Sequence, residues 1–160
     1  MEWLEPTTAV LDRVGARWAL MGALAALRYR SEPRLTTDLD LLVEPHEGLA
    51  DAFRAEGLDV REIADAGEPP HLLLIRGSGR RVDLLLVTVD YQRVALDRAV
   101  DGALTAEDVV VHKLIAWRPR DRDDVVSIVR SGTPLDEVYI DHWAGEWEVA
   151  DRWREVRQAR

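Results

Sequence analysis

The run Thr37-Asp38-Leu39-Asp40-Leu41 sets two carboxylates two positions apart, in a stretch that turns wholly apolar by Val43. On a β-strand, residues two apart project from the same face, so Asp38 and Asp40 stand side by side. Two adjacent anions repel unless a cation lies between them. Hard divalent ions such as Mg²⁺ take oxygen ligands and suit that arrangement. A third acid, Asp83, lies between Val82 and Leu84-Leu85-Leu86-Val87, in a strand too apolar to need it for packing. If that strand neighbours the first, three carboxylates converge, as two-metal phosphoryl chemistry requires. On an exposed edge strand, the same Asp-x-Asp would be no more than a wet face.

Charge and composition bound the rest. The 160 residues hold 30 acids against 21 bases, a net charge of -9, which excludes a surface built throughout for nucleic acid. Of those 21 bases, one is lysine, Lys113, leaving 20 arginines. A compact ammonium on an apolar helix face is therefore singled out. Arg28, Arg30 and Arg34 form the densest basic cluster, in the polar loop before Asp38, and can receive a polyanion. With no cysteine there are no disulfides, thiolate zinc sites or cysteine nucleophiles. No apolar run reaches the roughly 18 residues of a membrane span and no leader pattern opens the chain, so no membrane partner and a cytoplasmic location are expected. His46, His71, His112 and His142 lack metal-ligand spacing, and Gly77-Ser78-Gly79 lacks the Lys-Ser/Thr of a phosphate loop.

The elements that must position these groups follow from periodicity. Residues 7–16 read as a short amphipathic helix stopped by Gly15, and 18–21 as a buried strand ended by Gly22. A small-residue helix at 23–27, a polar connection to Thr37 and a strand at 38–43 come next. Residues 46–56 are expected to be helical up to Gly57, and 58–63 a weak strand. Residues 72–75 and 82–89 are strands joined through the Gly77-Ser78-Gly79 turn. Beyond Tyr91 the pattern is helical, clearest at 106–117, where Thr105 and Asp108 make a capping pattern. Further helices are expected at 121–130, 135–143 and 146–158. Strands among helices, then helices alone, predict one α+β domain over 1–160, its core about 17–128 and its C-terminal helices about 135–158.

An apolar strand, Gly22-Ala23 opening a small-residue helix, a polar loop and then Asp38-x-Asp40 resemble the nucleotidyltransferase fold of the DNA polymerase beta superfamily. The downstream stretch Lys113-Leu114-Ile115-Ala116, then Arg120-Asp121-Arg122-Asp123-Asp124-Val125, looks like the AbiEii-type, or minimal-nucleotidyltransferase-like, branch. The resemblance spans about Trp18 to Ile128. It implies a small mixed sheet flanked by helices with a helical C-terminal half. It also implies transfer of a nucleoside monophosphate from a triphosphate, such as ATP, to an acceptor hydroxyl. Asp38 and Asp40 would bind one or two Mg²⁺ ions, with Mn²⁺ as a substitute, and Asp83 would complete the second metal site or take the acceptor proton. Gly22, Ala23, Thr37 and Lys113 would contact the nucleotide. Arg120 would pair with phosphate or with one of the acids Asp121 and Asp124, which would hold the helices of the site together. The implied acceptors are RNA, a protein or a small molecule such as an antibiotic, and the branch implies a toxin with an antitoxin partner. Ala23 stands where many members carry serine, so a catalytically silent binding module on the same fold is a further reading.

Overall fold

The computed structural model describes residues 3–32 and 35–158. Arg34, of the basic loop cluster, lies outside them. The described chain forms two compact units, one made of the N-terminal segment to Leu20 with Thr37–Gly102, the other of Met21–Thr36 with the chain from Ala103 onward.

The first unit is built on a five-stranded mixed sheet. Its strands are β1 (Trp18–Leu20), β2 (Leu39–Val43), β3 (Asp59–Ile63), β4 (Leu72–Gly77) and β5 (Arg80–Leu86), in the order β1-β2-β5-β4-β3. Only β2 and β5 run parallel; the other neighbours are antiparallel. Alternation decides the two faces. Leu39, Leu41 and Val43 of β2, Val82, Leu84 and Leu86 of β5, and Leu73 and Ile75 of β4 are buried on one face. Each such side chain contributes about 1.5–3 kcal/mol by leaving water. Helices α1 (Leu4–Val14) and α3 (Leu49–Ala55) pack together, α3 also against β3, and α4 (Asp90–Asp97) packs against β2.

The hairpin between β4 and β5 is tighter than the glycine pattern alone implies. Gly77 pairs with Arg80, so the loop is the two residues Ser78 and Gly79. Their φ values of 51° and 76° are both positive. That is the turn whose twist suits a two-residue hairpin. Helix α1 starts three residues before the expected Thr7, since Pro6 falls in the first turn, where no N–H is needed. It ends as expected at Gly15, which is left-handed at φ 76°. The helix expected from residue 46 begins only at Leu49.

The second unit is helical: α2 (Gly22–Ala26), α5 (Ala106–Ala116), α6 (Pro119–Arg130), α7 (Glu137–Glu146) and α8 (Ala150–Gln158). Helix α5 lies at its centre, packing on α2, α6 and α7. Val109, Val110, Val111 and Leu114 fill its buried side. Thr105 caps it as its sequence implies, accepting from the Asp108 N–H and donating its hydroxyl to Asp108 Oδ2 at 2.8 Å. Helix α6 starts at Pro119, two residues earlier than expected, because proline fits the first helical position. Among the described residues, eight helices and a mixed five-stranded sheet make this an α+β protein.

Candidate active site

In the first unit, the parallel pairing of β2 with β5 sets Asp40 directly opposite Asp83. Paired residues of neighbouring strands point to the same face about 4.8 Å apart, so the two carboxylates share the sheet face that is not the apolar core. Continuing that register by one step brings Asp38 beside Arg81, and Asp38 Oδ1 lies 3.4 Å from Arg81 Nε. Thr37, exposed, directs its hydroxyl to the same Oδ1 at 3.5 Å. The next strand supplies Arg76, which pairs with Arg81 in register. Arg76 Nη1 lies 2.7 Å from Asp83 Oδ1.

The three aspartates thus occupy one half-buried face, two of them beside arginines. Among the described residues, no group of three His, Cys, Asp or Glu side chains is disposed to hold a metal ion. The donor chemistry nevertheless fits a hard cation. The carboxylates share a face, with Arg76 2.7 Å from Asp83 Oδ1 and Arg81 3.4 Å from Asp38 Oδ1, and Asp83 Oδ1 is buried without an aligned hydrogen-bond donor. Asp38, Asp40 and Asp83 are the residues that would hold such an ion. Beyond Asp83 on the same face comes Leu85, which walls a cleft of about 460 Å³ with Pro45, Pro70, Val87, Thr88 and Gln92.

In the second unit, Gly22 opens α2 at φ 64°, a left-handed value that favours glycine. Ala23 behind it is buried. Lys113, on α5, is only 4% exposed. Its ammonium donates to Asp124 Oδ2 at 2.6 Å and to Asp121 Oδ1 at 3.2 Å, both on α6. Arg30, just past α2, donates from Nη1 to Asp124 Oδ1. Asp121 Oδ2 accepts from the Arg118 backbone N–H at 3.2 Å and from its Nε at 2.6 Å. Lys113, Asp121 and Asp124 are therefore brought together in a buried ionic knot joining α2, α5 and α6. The arginines that complete it are Arg30 and Arg118, whereas Arg120 is exposed. Arg30 is not legible from spacing, since it reads as part of an open basic loop, whereas Arg118 lies three residues before Asp121.

Two titrations follow from this packing. Burial pushes Asp121 upward, but the Arg118 hydrogen bond and the Lys113 and Arg118 charges outweigh it, so its carboxyl sits below its ordinary 3.8. The stability it contributes is complete above pH 3.8 and is lost as pH falls through its lower folded value. His112, on α5, is held below its ordinary 6.5 by burial, against the pull of the Asp108 carbonyl that its Nδ1 meets at 2.9 Å. The unfolded chain then takes up a proton that the folded chain refuses. Stability should fall below pH 6.5 with a slope of up to about 1.4 kcal/mol per pH unit. Urea unfolding at pH 7.5, 6.5 and 5.5 should show that limb flattened in His112→Asn. An unchanged slope would assign it elsewhere.

No protein-family model and no curated protein matches the sequence. Solved structures do match. The antibiotic-resistance factor ANT(2'')-Ia superposes with a TM-score of 0.64 at 15% identity, over 98% of this chain and 94% of that one. An antigenic nucleotidyltransferase-like protein from Paracoccidioides brasiliensis gives 0.46 at 18% identity, over 96% and 88%. A cytoplasmic RNA terminal U-transferase gives 0.41 at 20%, over 74% of this chain and 38% of that one. The first of these likenesses establishes the fold and, at such identity, the fold alone.

Proposed function

We propose that this chain, which has the nucleotidyltransferase fold, transfers a nucleoside monophosphate from a nucleoside triphosphate to an acceptor hydroxyl and releases pyrophosphate. The observation that carries this reading is the register of β2 and β5, which sets Asp83 opposite Asp40 with Asp38 two residues upstream. In that reaction the acceptor oxygen bonds to the α-phosphorus, the bond from that phosphorus to the β-phosphate oxygen breaks, and the acceptor proton leaves to a base. Mg²⁺ or Mn²⁺, when bound, supplies charge stabilisation for the entering and leaving oxygens. Asp38 and Asp40 would present the oxygen ligands, and Asp83 would join them or receive the acceptor proton.

On the resemblance, Gly22, Ala23, Thr37 and Arg120 are assigned to the nucleotide. Lys113 spends its ammonium on Asp121 and Asp124. We therefore assign it to positioning, acting through the helices it joins. The acceptor classes stay RNA, protein or a small molecule, and an antitoxin partner belongs to the same reading.

Thermal unfolding with each of the four nucleoside triphosphates, with and without Mg²⁺, tests the reading. At least one should stabilise the protein in Mg²⁺ by roughly 2.7 kcal/mol at a hundredfold excess over Kd. No Mg²⁺-dependent shift with any of them would overturn the enzyme reading in favour of a silent binding module.

A further inference from the structure

The sheet face that carries Asp83 changes character at that residue. Toward the hairpin lie Arg81 and, paired with it on β4, Arg76. In the other direction the face is apolar: Leu74 stands opposite Asp83 itself, and Leu85, two residues further on, pairs with Leu72. All three leucines are half-buried. Two residues of strand, about 7 Å, carry the face from Asp83 to Leu85 and the cleft of about 460 Å³ that it helps to line. That volume suits a small organic molecule. Leu85 and Val87 give the cleft its apolar lining, beside Pro45, Pro69 and Pro70, whose fixed backbone shapes it before anything binds. Its charges are of one sign. Asp65 and Glu68 line it, both exposed, and neither lysine nor arginine does. His71 Nδ1 lies 4.0 Å from Asp65 Oδ2, and Glu68 has no ion-pair partner among the described residues. Gln92, also in the lining, accepts the Thr88 and Val89 N–H groups on its carbonyl oxygen at 2.7 and 3.3 Å, which leaves its amide NH₂ to donate.

We infer that this cleft binds a compact alcohol with an apolar body, neutral or cationic, and that this molecule is the acceptor, a small molecule and not RNA. The acceptor role rests on the transfer reading, whereas the selectivity of the cleft stands without it and needs no metal. An RNA strand brings a phosphate with every nucleotide, and sites for it set lysine or arginine along the backbone path. In this cleft those phosphates would meet Asp65 and Glu68 instead. An apolar body laid over Leu85 and Val87 removes both surfaces from water. Its charge, if it has one, must be positive to sit beside two carboxylates. Gln92 donates to an oxygen on it, and a hydroxyl at the end nearer Leu85 comes within reach of Asp83.

Three benzyl alcohols that share one ring serve as probes. The para-aminomethyl compound is cationic, the para-methyl compound neutral and para-hydroxymethyl benzoate anionic. Binding is read from backbone amide shifts by NMR, with neither nucleotide nor metal present. The cationic and neutral alcohols should shift Leu85, Val87, Thr88 and Gln92, and the benzoate should bind roughly tenfold more weakly than the amine. Asp65→Lys combined with Glu68→Lys changes only exposed side chains, so the melting temperature should hold while the order of amine and benzoate reverses. Equal affinity for amine and benzoate, shifts centred elsewhere, or no shift with any probe would overturn the inference. Transfer from an α-phosphate-labelled triphosphate is then offered to the alcohols and to an RNA oligonucleotide. Label on an alcohol supports the acceptor role, and label on RNA alone overturns it. Alcohols bound in the cleft with no label on any acceptor uphold the cleft's selectivity and sink the transfer reading.

Discussion

Asp40→Asn is expected to lower nucleotidyl transfer by about 10²–10³-fold or more, with little change in melting temperature. The amide keeps the shape of the carboxylate and loses its charge, so the strand still packs while its grip on a cation fails. Asp40 is half-buried on β2 opposite Asp83, and Leu39 and Leu41 on either side of it carry the burial. Removing one of two adjacent anions also relieves repulsion, which should offset part of any lost polar contact. Asp83→Asn should behave alike in activity, its stability change being larger because Arg76 then faces an uncharged partner. Incorporation of label from an α-phosphate-labelled triphosphate measures the first effect, and calorimetry the second. Native-level transfer by Asp40→Asn would remove the carboxylate pair from the mechanism.

Lys113→Met is expected to unfold the second unit more than any surface charge change. Losing one partner of a buried ion pair costs about 3–5 kcal/mol, because the remaining charges stay out of water without compensation. For a chain of this size each kcal/mol moves Tm by about 2–4 °C, so a fall of about 6–20 °C is expected. Arg30 and Arg118 still neutralise Asp124 and Asp121 in part, which places the result toward the lower end. Adding Asp124→Asn to Lys113→Met should deepen the loss, since it takes from the near-buried Arg30 the carboxylate it pairs with. Calorimetry and nucleotide titration together separate two roles for this lysine. A native Tm with a raised KM for the triphosphate would mark direct phosphate contact instead of positioning.

Much of the fold is legible in local residues. The alternation of Leu39, Asp40, Leu41 marks a strand with one apolar and one carboxylate face, and burial follows that alternation. The Gly77-Ser78-Gly79 turn, the Gly15 stop and the Thr105 cap each act through backbone geometry within a few residues. Such features need no knowledge of distant chain. Boundaries moved at helix starts such as Leu4, Leu49 and Pro119, where a proline or a loop of small residues lets the helix begin earlier or later at small cost. They moved also at element ends, β5 covering Arg80–Leu86 where 82–89 is expected and α7 running to Glu146 where 143 is expected.

The candidate site was legible in its parts and not in its assembly. Arg81 could have been read beside Asp83, since residues two apart share a strand face. Arg76 could not, because it reaches Asp83 from another strand. The sequence by itself determined which groups can do chemistry: Asp38 and Asp40 on one face, Asp83 in an apolar strand, Lys113 on an apolar helix. Only the tertiary structure decided what each of them meets. The pairing of β2 with β5 joins residues some forty positions apart, and it depends on which strands close around a common core, not on any local preference. That pairing put Asp83 against Asp40. The packing of α5 on α6 and α2 likewise turned the lone lysine inward, because a buried ammonium is stable only where carboxylates surround it.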